Sequence, residues 1–319
     1  MQVCRKASAR PEVPMALTIG NFDGVHLGHQ AMLARLKQAA DQLNIASCVM
    51  TFEPHPREFL APGQAPTRLT SLREKLELLA ESGVDRVQIY RFNHDFAKIG
   101  TESFMARTLQ RELAVRWLLV GDDFRFGAQR AGNVDMLRTF SQREGSFEVE
   151  IMPDFSVNGL RVSSTAVREA LAYGNLNLAK QLLGRPYSIS GRVVDGDKLG
   201  KQIGFPTANI QLKHNRPPLM GIFVVEVSSQ SGSALPATMR GVASLGIRPT
   251  THAMSKPVLE VHLFDFCKEI YGHHLRVHFL HKLRDEEKYP DLDTLIRQIK
   301  RDVENAKDYF MAQADLTSS

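Results

Sequence analysis

The sequence predicts an α/β domain built on a parallel sheet, followed by a small antiparallel β-barrel domain with a C-terminal helix. Three observations support this prediction. The chain has 319 residues, which is enough for two domains of about 100–200 residues each. Its first half alternates short apolar runs with helical periodicity, which is typical of βαβ units. Beyond Gly184 it consists mainly of short strand-like runs separated by glycine and proline.

The first domain is expected at residues 15–184 and the second at residues 185–310, with flexible ends at residues 1–14 and 311–319. The strands predicted in the first domain are Ala16–Ile19, Cys48–Phe52, Val87–Tyr90, Trp117–Val120 and Glu148–Met152. The helices predicted with them begin at Gly28 and at Ser71, and cover Thr101–Leu113, Asn133–Arg143 and Thr165–Leu183. In such sheets, ligands bind at the carboxyl ends of the strands.

The second domain is predicted to contain antiparallel strands and one closing helix. The strands are Tyr187–Val194, Ile222–Val227, Met239–Ser244, Val258–Phe264 and Leu275–Leu283. After them, apolar residues from Leu292 to Phe310 recur on one helical face, and Asp291 or Asp293 is placed to cap this helix.

Composition and charge narrow the class of protein. A net charge of +5 favours anionic partners such as nucleotides, but no cluster of basic and aromatic residues predicts nucleic-acid binding. No apolar run reaches the ~18 residues that a membrane helix needs, and Met1–Pro14 lacks the apolar core of a secretory signal. The three cysteines are widely spaced, so we expect a cytoplasmic protein without disulfides or zinc. The oligomeric state stays open.

One segment between the first predicted strand and helix has the character of a phosphate site. It reads Gly20-Asn21-Phe22-Asp23-Gly24-Val25-His26-Leu27-Gly28-His29. The N–H groups at a helix N-terminus attract phosphate, and the glycines allow the backbone to approach an anion. The two histidines can donate hydrogen bonds to oxygens that gain charge in a transition state. A structural role for each histidine is the alternative, and a metal site is a weaker one.

Two later segments also have residue types suited to ligand binding. The first is Val162-Ser163-Ser164-Thr165-Ala166-Val167-Arg168, whose hydroxyls can bind phosphate or simply cap a helix. The second is Gly121-Asp122-Asp123-Phe124-Arg125-Phe126-Gly127, which directly follows a predicted strand. Its phenylalanines fit a core as well, but its place just past a strand end favours a ligand loop.

The second half carries four more motifs. The first is a glycine-rich stretch, Gly191–Gly200, that leads to Gly204-Phe205-Pro206-Thr207-Ala208-Asn209. The others are Gly241–Thr250, Leu259-Glu260-Val261-His262-Leu263 and Leu283-Arg284-Asp285-Glu286. On strand alternation alone, Glu260 is better interpreted as an outward-facing strand residue.

In order, these motifs resemble the bifunctional bacterial riboflavin kinase/FAD synthetase family from about Leu17 to Tyr309. The HLGH and SSTAVR segments are similar to the nucleotidyltransferase superfamily, and the GDDFRFG segment to the flavin loop of FAD synthetases. The GFPTAN, GVASLGIRPT, LEVHL and LRDE segments resemble the riboflavin kinase domain. Ser244, Asp195 and Phe223 depart from the common Asn, His and Tyr, which leaves details of substrate contact open.

The resemblance implies a Rossmann-like nucleotidyltransferase domain and a β-barrel kinase domain. The kinase would phosphorylate riboflavin to FMN with ATP and Mg²⁺, and the other domain would adenylylate FMN to FAD and release pyrophosphate. Glu260 would be the catalytic base of the kinase, while His26 and His29 would stabilise charge during adenylyl transfer. Thr207 and Asn209 would hold Mg²⁺, whose preferred ligands are oxygens.

The remaining implied site residues bind nucleotide or flavin. The nucleotide and phosphate residues would be Gly20, Asn21, Phe22, Asp23, Gly24, Gly28, Ser163, Ser164, Thr165, Arg168, Gly196, Lys198 and Gly200. The flavin residues would be Asp123, Phe124, Arg125, Phe126, Gly204, Phe205, Pro206 and Arg284. A surface role for Arg284 is an equal alternative.

The resulting partners are ATP, riboflavin, FMN and FAD, with neither nucleic acid nor membrane. Three rivals remain. One is a chain with a single working activity, and another is a flavin- or nucleotide-binding regulatory protein with reduced catalysis. The third is a flavin-dependent oxidoreductase, which would copurify yellow and would not consume ATP.

Overall fold

The computed structural model describes residues 1–5, 13–196, 200, 203–213, 216–229, 235–247 and 257–317. The chain folds into two compact units. The first combines Met1–Pro66 with Leu72–Ser163, and the second combines Thr67–Ser71 with Ser164–Ser319. Within the described ranges, no helix is both long and apolar enough to cross a bilayer.

The first unit is built on a parallel sheet that has six strands in the described chain. They are β1 (Gln2–Cys4), β2 (Met15–Ile19), β3 (Ala46–Glu53), β4 (Arg86–Arg91), β5 (Val115–Gly121) and β6 (Glu148–Met152). Their spatial order is β1-β4-β3-β2-β5-β6, and every neighbouring pair is parallel. The chain moves outward from β2 to β4 and then returns to the other side of β2. The winding direction therefore changes between β2 and β5, which is where ligands bind in sheets of this kind.

Helices cover the sheet because its central strands are apolar on both faces. They are α1 (Leu27–Leu43), α2 (Pro56–Leu60), α3 (Leu72–Glu81), α4 (His94–Ala97), α5 (Thr101–Ser103) and α6 (Val134–Glu144), with a π-helix at Phe104–Glu112. Short 3-10 turns at Pro62–Gln64 and Ala128–Arg130 and a two-stranded ribbon, β7 (Ser156–Val157) and β8 (Leu160–Arg161), complete the unit. One core packs the π-helix and α6 against the sheet, and the other packs α1 and α3 against it.

The second unit contains a closed antiparallel barrel. Its elements are α7 (Ser164–Ala172), α8 (Leu176–Leu183), β9 (Ser188–Val194), β10 (Ala208–Ile210), β11 (Gly221–Ser229), β12 (Thr238–Ile247), β13 (Pro257–Leu263), β14 (His274–Arg284) and α9 (Leu292–Thr317). The barrel order is β10-β13-β12-β11-β14-β9, and β9 pairs with β10 to close it. Phe223 and Phe279 are fully buried and pack edge to face, with ring centroids 5.2 Å apart.

Helix α9 packs on the outside of the barrel. Its apolar face, which includes Ala306 and Phe310, contacts a strip of barrel residues that includes Val224 and Val242. Of the two predicted capping residues, Asp291 is the one that accepts a hydrogen bond, from the Thr294 N–H at 2.7 Å. The helix end thereby gains a partner for an otherwise unpaired backbone donor.

The predicted fold class is confirmed, with three local corrections. Gln2–Cys4 was expected to be flexible but pairs with β4, because backbone hydrogen bonds at a sheet edge need no hydrophobic signature. The single predicted helix Thr165–Leu183 is two helices, since Gly174 has a φ of 71° and Asn175 caps α8. The closing helix continues to Thr317, past the expected end at residue 310.

Candidate active sites

The loops that follow β2 and β5 line one cavity in the first unit. Its volume is about 860 Å³, and its lining includes Gly20 and Asn21 from the first loop and residues 123–127 from the second. Because β2 and β5 are adjacent and parallel, their carboxyl ends lie at the change of winding direction. The structure thus brings together two segments that are about a hundred residues apart in the sequence.

Burial holds the loop before α1 in a strained backbone conformation. Phe22 and Val25 have φ angles of 47° and 40°, in the left-handed region that bulky residues avoid. Each side chain is only 1% exposed, so core packing offsets the strain. Strained residues held in this way are concentrated at functional sites.

The two histidines of this loop form a stacked pair. His26 is the N-cap of α1, and its Nδ1 accepts a hydrogen bond from the His29 N–H at 3.2 Å. Their ring centroids are 3.6 Å apart. A Cβ at position 28 would lie 3.3 Å from the His26 ring, so Gly28 permits the close approach. Since Nδ1 of His26 accepts, its proton is carried by Nε2, which leaves that atom as a donor.

His29 is held in its neutral form. Burial, followed by the nearby positive charges of His26 and Lys75, lowers the pKa of His29 well below its usual value of 6.5. Its Nδ1 and the Oδ1 of Asn21 are both buried and have no hydrogen-bond partner in the described chain. Buried polar atoms are nearly always hydrogen-bonded. The loop therefore has the character of a site that is completed by a polar ligand.

Aromatic rings form the wall of the same cavity. They are Phe52, Phe92, Phe96, Phe104, Phe124 and Phe126. Phe124 and Phe126 are nearly parallel, with centroids 5.8 Å apart. Three arginines, Arg57, Arg125 and Arg130, also line it. An apolar aromatic wall with a few cationic groups suits a flat aromatic ligand that carries negative charge.

A short hairpin-like contact fixes Phe126 in this wall. Phe126 and Gly132 exchange backbone hydrogen bonds of 3.2 Å and 2.8 Å. A Cβ at position 132 would lie 2.7 Å from the Phe126 ring, which explains the glycine. Gly127 has a φ of 73°, a conformation that glycine adopts without strain.

The division of the chain into two units falls within the serine-threonine segment. Ser163 ends the first unit and Ser164 begins the second, where it is the first residue of α7. The Arg168 Nε–H donates to the Thr67 carbonyl oxygen at 2.6 Å. The phosphate-binding roles predicted for Ser163, Ser164, Thr165 and Arg168 stay predictions.

Strand register assembles the site of the second unit. Asn209 on β10 and Ser244 on β12 both pair directly with Glu260 on β13. Paired residues project from the same face of a sheet, so these three side chains form a row. Leu259 and Val261 point into the barrel and are at most 1% exposed. Glu260 therefore faces outward, into a cavity of about 520 Å³ that Thr207 and Arg284 also line.

The glycine-rich stretch contacts the predicted metal ligands. A Cβ at Gly196 would overlap the Asn209 amide, and one at Gly200 would lie 3.3 Å from the Thr207 hydroxyl oxygen. Glycine at these positions lets the backbone lie directly against those side chains. Lys198, predicted to bind nucleotide, lies outside the described residues.

His262 supports the Gly204–Pro206 segment. Its Nδ1 lies 2.9 Å from the Pro206 carbonyl oxygen, and its ring meets the Phe205 ring edge to face with centroids 5.5 Å apart. Both Phe205 and His262 line the cavity. The three predicted flavin residues of this segment are therefore held against the strand that carries Glu260.

Comparison with known proteins identifies both halves. A model of the FAD synthetase family matches residues 9–166, and a model of the riboflavin kinase family matches residues 183–310. The chain is 48% identical over 295 residues to the bifunctional riboflavin kinase/FMN adenylyltransferase of Haemophilus influenzae, covering 92% of this chain and 94% of that protein. It is 46% identical over 303 residues to the protein of the same name from Escherichia coli K12, covering 95% of each.

The chain belongs to the bifunctional riboflavin kinase/FMN adenylyltransferase family. It is a transferase of flavin-cofactor synthesis, with an FAD synthetase domain followed by a riboflavin kinase domain. A solved structure described as a macrolide-efflux protein from Streptococcus pneumoniae is also similar, with a TM-score of 0.79 and 28% identity over 95% of this chain and 97% of that one.

Several cavity residues of this family member were not predicted from the sequence. In the first unit they include Phe52, Phe92, Phe96, Phe104 and Arg57. Phe52 lies near the carboxyl end of β3 and Phe92 directly follows β4. Their position at strand ends could therefore have predicted that they line the cavity. In the second unit, His262 and Glu286 line the cavity and lie in the LEVHL and LRDE motifs, although no site role was predicted for them. Asp302 also lines it, and for this residue the sequence offers no comparable signal.

Proposed function

We propose that the barrel unit transfers the γ-phosphoryl group of ATP to riboflavin, and that the first unit then transfers the adenylyl group of a second ATP to the resulting FMN. The observation that carries this assignment is that each family domain has its own cavity lined by its own sequence motif. We assign the two functional domains to residues 15–184 and 185–310.

In the kinase step, Glu260 accepts the proton of the ribityl 5′-hydroxyl as its oxygen attacks the γ-phosphorus. Its place in the cavity, beside Asn209 in the strand register, supports this role. Thr207 and Asn209 offer a hydroxyl and an amide oxygen, which fit Mg²⁺ together with water and phosphate oxygens. Bound Mg²⁺ would neutralise phosphate charge. Gly196, Lys198 and Gly200 would cover the nucleotide.

In the adenylyl step, the FMN phosphate attacks the α-phosphorus of ATP and pyrophosphate leaves. His26 and His29 donate hydrogen bonds to the oxygens that gain charge, and the lowered pKa of His29 spares that residue the cost of a buried cation. Residues 20–24 and Gly28 hold the phosphates by backbone N–H groups at the start of α1. Ser163, Ser164, Thr165 and Arg168 are assigned to the departing pyrophosphate.

The flavin occupies the aromatic cavity of the first unit during the second step. Phe124 and Phe126 pack against its isoalloxazine ring, while Asp123 and Arg125 contact its polar groups. In the barrel, Gly204, Phe205 and Pro206 form the flavin side, and Arg284 lines the same cavity. ATP as co-substrate and the unpaired cysteines support a cytoplasmic location.

The test is to incubate the full chain with riboflavin, ATP and Mg²⁺ and to separate the flavins by chromatography. We expect FMN to form first and FAD to follow, and we expect neither when Mg²⁺ is replaced by a chelator. FMN without FAD would contradict the role given to the first unit. Flavin that binds without turnover would favour a regulatory binding protein instead.

A further inference from the structure

Arg284 is held by an aspartate of the C-terminal helix. Its Nη2–H donates to Asp302 Oδ2 at 2.7 Å, and its Nε–H donates to Oδ1 at 3.0 Å. The side chains of Arg284 and Asp302 are 18% and 6% exposed. Two parallel hydrogen bonds between a guanidinium and a carboxylate fix the arginine in one orientation.

Two other contacts of the Arg284 side chain lie in the segment that follows it. Its Nη1–H donates to the Asp285 carbonyl oxygen at 2.9 Å, and its Cζ lies 5.8 Å from the centre of the Tyr289 ring. Residues 286–289 line the kinase cavity. Arg284 thus joins a cavity wall to α9.

The same wall reaches the row of strand residues that contains Glu260. The Ser244 hydroxyl donates to Glu286 Oε1 at 3.1 Å, and Ser244 pairs with Glu260 in the strand register. A displacement of residues 285–289 would therefore move Glu286 relative to Glu260. Ser244, which replaces the common Asn, therefore has a hydrogen-bond partner in Glu286.

Asp302 is also held by a hydrogen bond from its own helix. It is 4% exposed, and the Gln298 Nε2–H donates to its Oδ1 at 2.9 Å. A buried carboxylate that satisfies an arginine cannot be removed without leaving that charge unpaired. Hydrogen bonds from Gln298 to Asp302 and from Arg284 to Asp302 therefore link α9 to the cavity wall.

We propose that Asp302 is a positioning residue for riboflavin phosphorylation, acting through Arg284 on the wall formed by residues 285–289. The inference rests on the proposed kinase function of the barrel unit. Asp302 contributes by keeping the riboflavin side of the cavity in place for attack. Its role is specific to the flavin substrate rather than to ATP.

The test compares Asp302→Asn with the unaltered full chain. We expect kcat/KM for riboflavin to fall about 100-fold, since a displacement of about 1 Å at a reacting group has this effect. KM for riboflavin should rise while KM for ATP stays unchanged. Conversion of added FMN to FAD, measured on the same preparation, should also stay unchanged and shows that the first unit is intact.

Three further variants separate positioning from stability. Arg284→Lys keeps the positive charge but loses the two-pronged geometry, and we expect a similar loss of riboflavin turnover. Gln298→Ala, which leaves the ion pair in place, should raise KM for riboflavin by a few-fold. Asp308→Asn, on an exposed position of the same helix, is the matched control and should change nothing.

The outcomes are distinguishable. If the unaltered chain forms no FMN, the proposed kinase function fails. If it does, but Asp302→Asn and Arg284→Lys phosphorylate riboflavin normally, only the positioning role is wrong. If activity falls only in proportion to the fraction of barrel that unfolds on heating, Asp302 serves stability alone and the proposal is overturned.

Discussion

The two sites of this chain are built in different ways. In the first unit, the site lies past the ends of parallel strands, so contiguous loops such as residues 20–29 and 121–127 carry it. In the barrel, the site lies on the outer face of three strands, and Asn209, Ser244 and Glu260 meet only through register. A loop site is visible as a sequence motif, whereas a strand-face site depends on how distant strands pair.

Their electrostatics also differ. In the first site, burial lowers the pKa of His29 and favours its neutral form, which would suit the donation of hydrogen bonds to phosphate oxygens. In the second, Glu260 pairs in register with Asn209, and its carboxylate faces a cavity that Thr207 also lines, which would suit proton abstraction and a hard cation. Changes to one site should therefore leave the other activity unaffected, and this can be tested directly.

The largest effect is expected for Glu260→Gln, which removes the proposed base but keeps the shape of the side chain. Riboflavin phosphorylation should fall by about 10²–10⁴-fold, the usual contribution of general base catalysis. Conversion of FMN to FAD should not change. Glu226→Gln, on another strand of the barrel and outside the cavity lining, is the matched control. A normal kinase rate in Glu260→Gln would remove Glu260 from the mechanism.

A smaller effect is expected for His29→Gln in the other site. Loss of one preorganised donor costs about 10²–10³-fold in rate, so FAD formation from FMN should fall by that factor while riboflavin phosphorylation continues. Chromatography of FMN and FAD over time measures the rates of both reactions in one experiment. His94→Gln, an exposed histidine of the same unit, should behave as the unaltered chain. Equal loss in both variants would mean that the rings are only structural.

The smallest effect concerns stability and pH. Because the pKa of His29 is lowered in the folded chain, the unfolded chain binds a proton below pH 6.5 that the folded chain does not. The free energy of unfolding of the first unit should therefore fall as pH drops below about 6.5. Urea unfolding can be followed by Trp117, the single tryptophan, which is 3% exposed.

The His29→Gln variant provides the control for this prediction. It lacks the titrating ring, so its stability should depend less on pH over the same interval. If the two chains lose stability in parallel as pH falls, the dependence arises from other groups.

Much of this molecule was predictable from the sequence, for reasons that the two sites illustrate. Apolar periodicity located the central strands, and the glycine-rich loop motifs contain Asn21, Asp123 and Thr207, which line the cavities. Strand alternation correctly placed Glu260 facing outward, but could not show that a cavity lies there. The sequence placed Asp302 in the closing helix but did not reveal its ion pair with Arg284. That contact arises only because α9 packs on the barrel. Gln2–Cys4 carries too short a pattern to be recognised as a strand.

Closure of the barrel affects where this protein can self-associate at high concentration. Each barrel strand in the described chain has a neighbouring strand on both sides, so the barrel has no edge strand. The parallel sheet instead ends at β1 and β6. Open edges recruit strands from other molecules. The three-residue length of β1 and the glutamates of β6 oppose strand addition at those edges. Any self-association through strand pairing would nevertheless begin there rather than at the barrel.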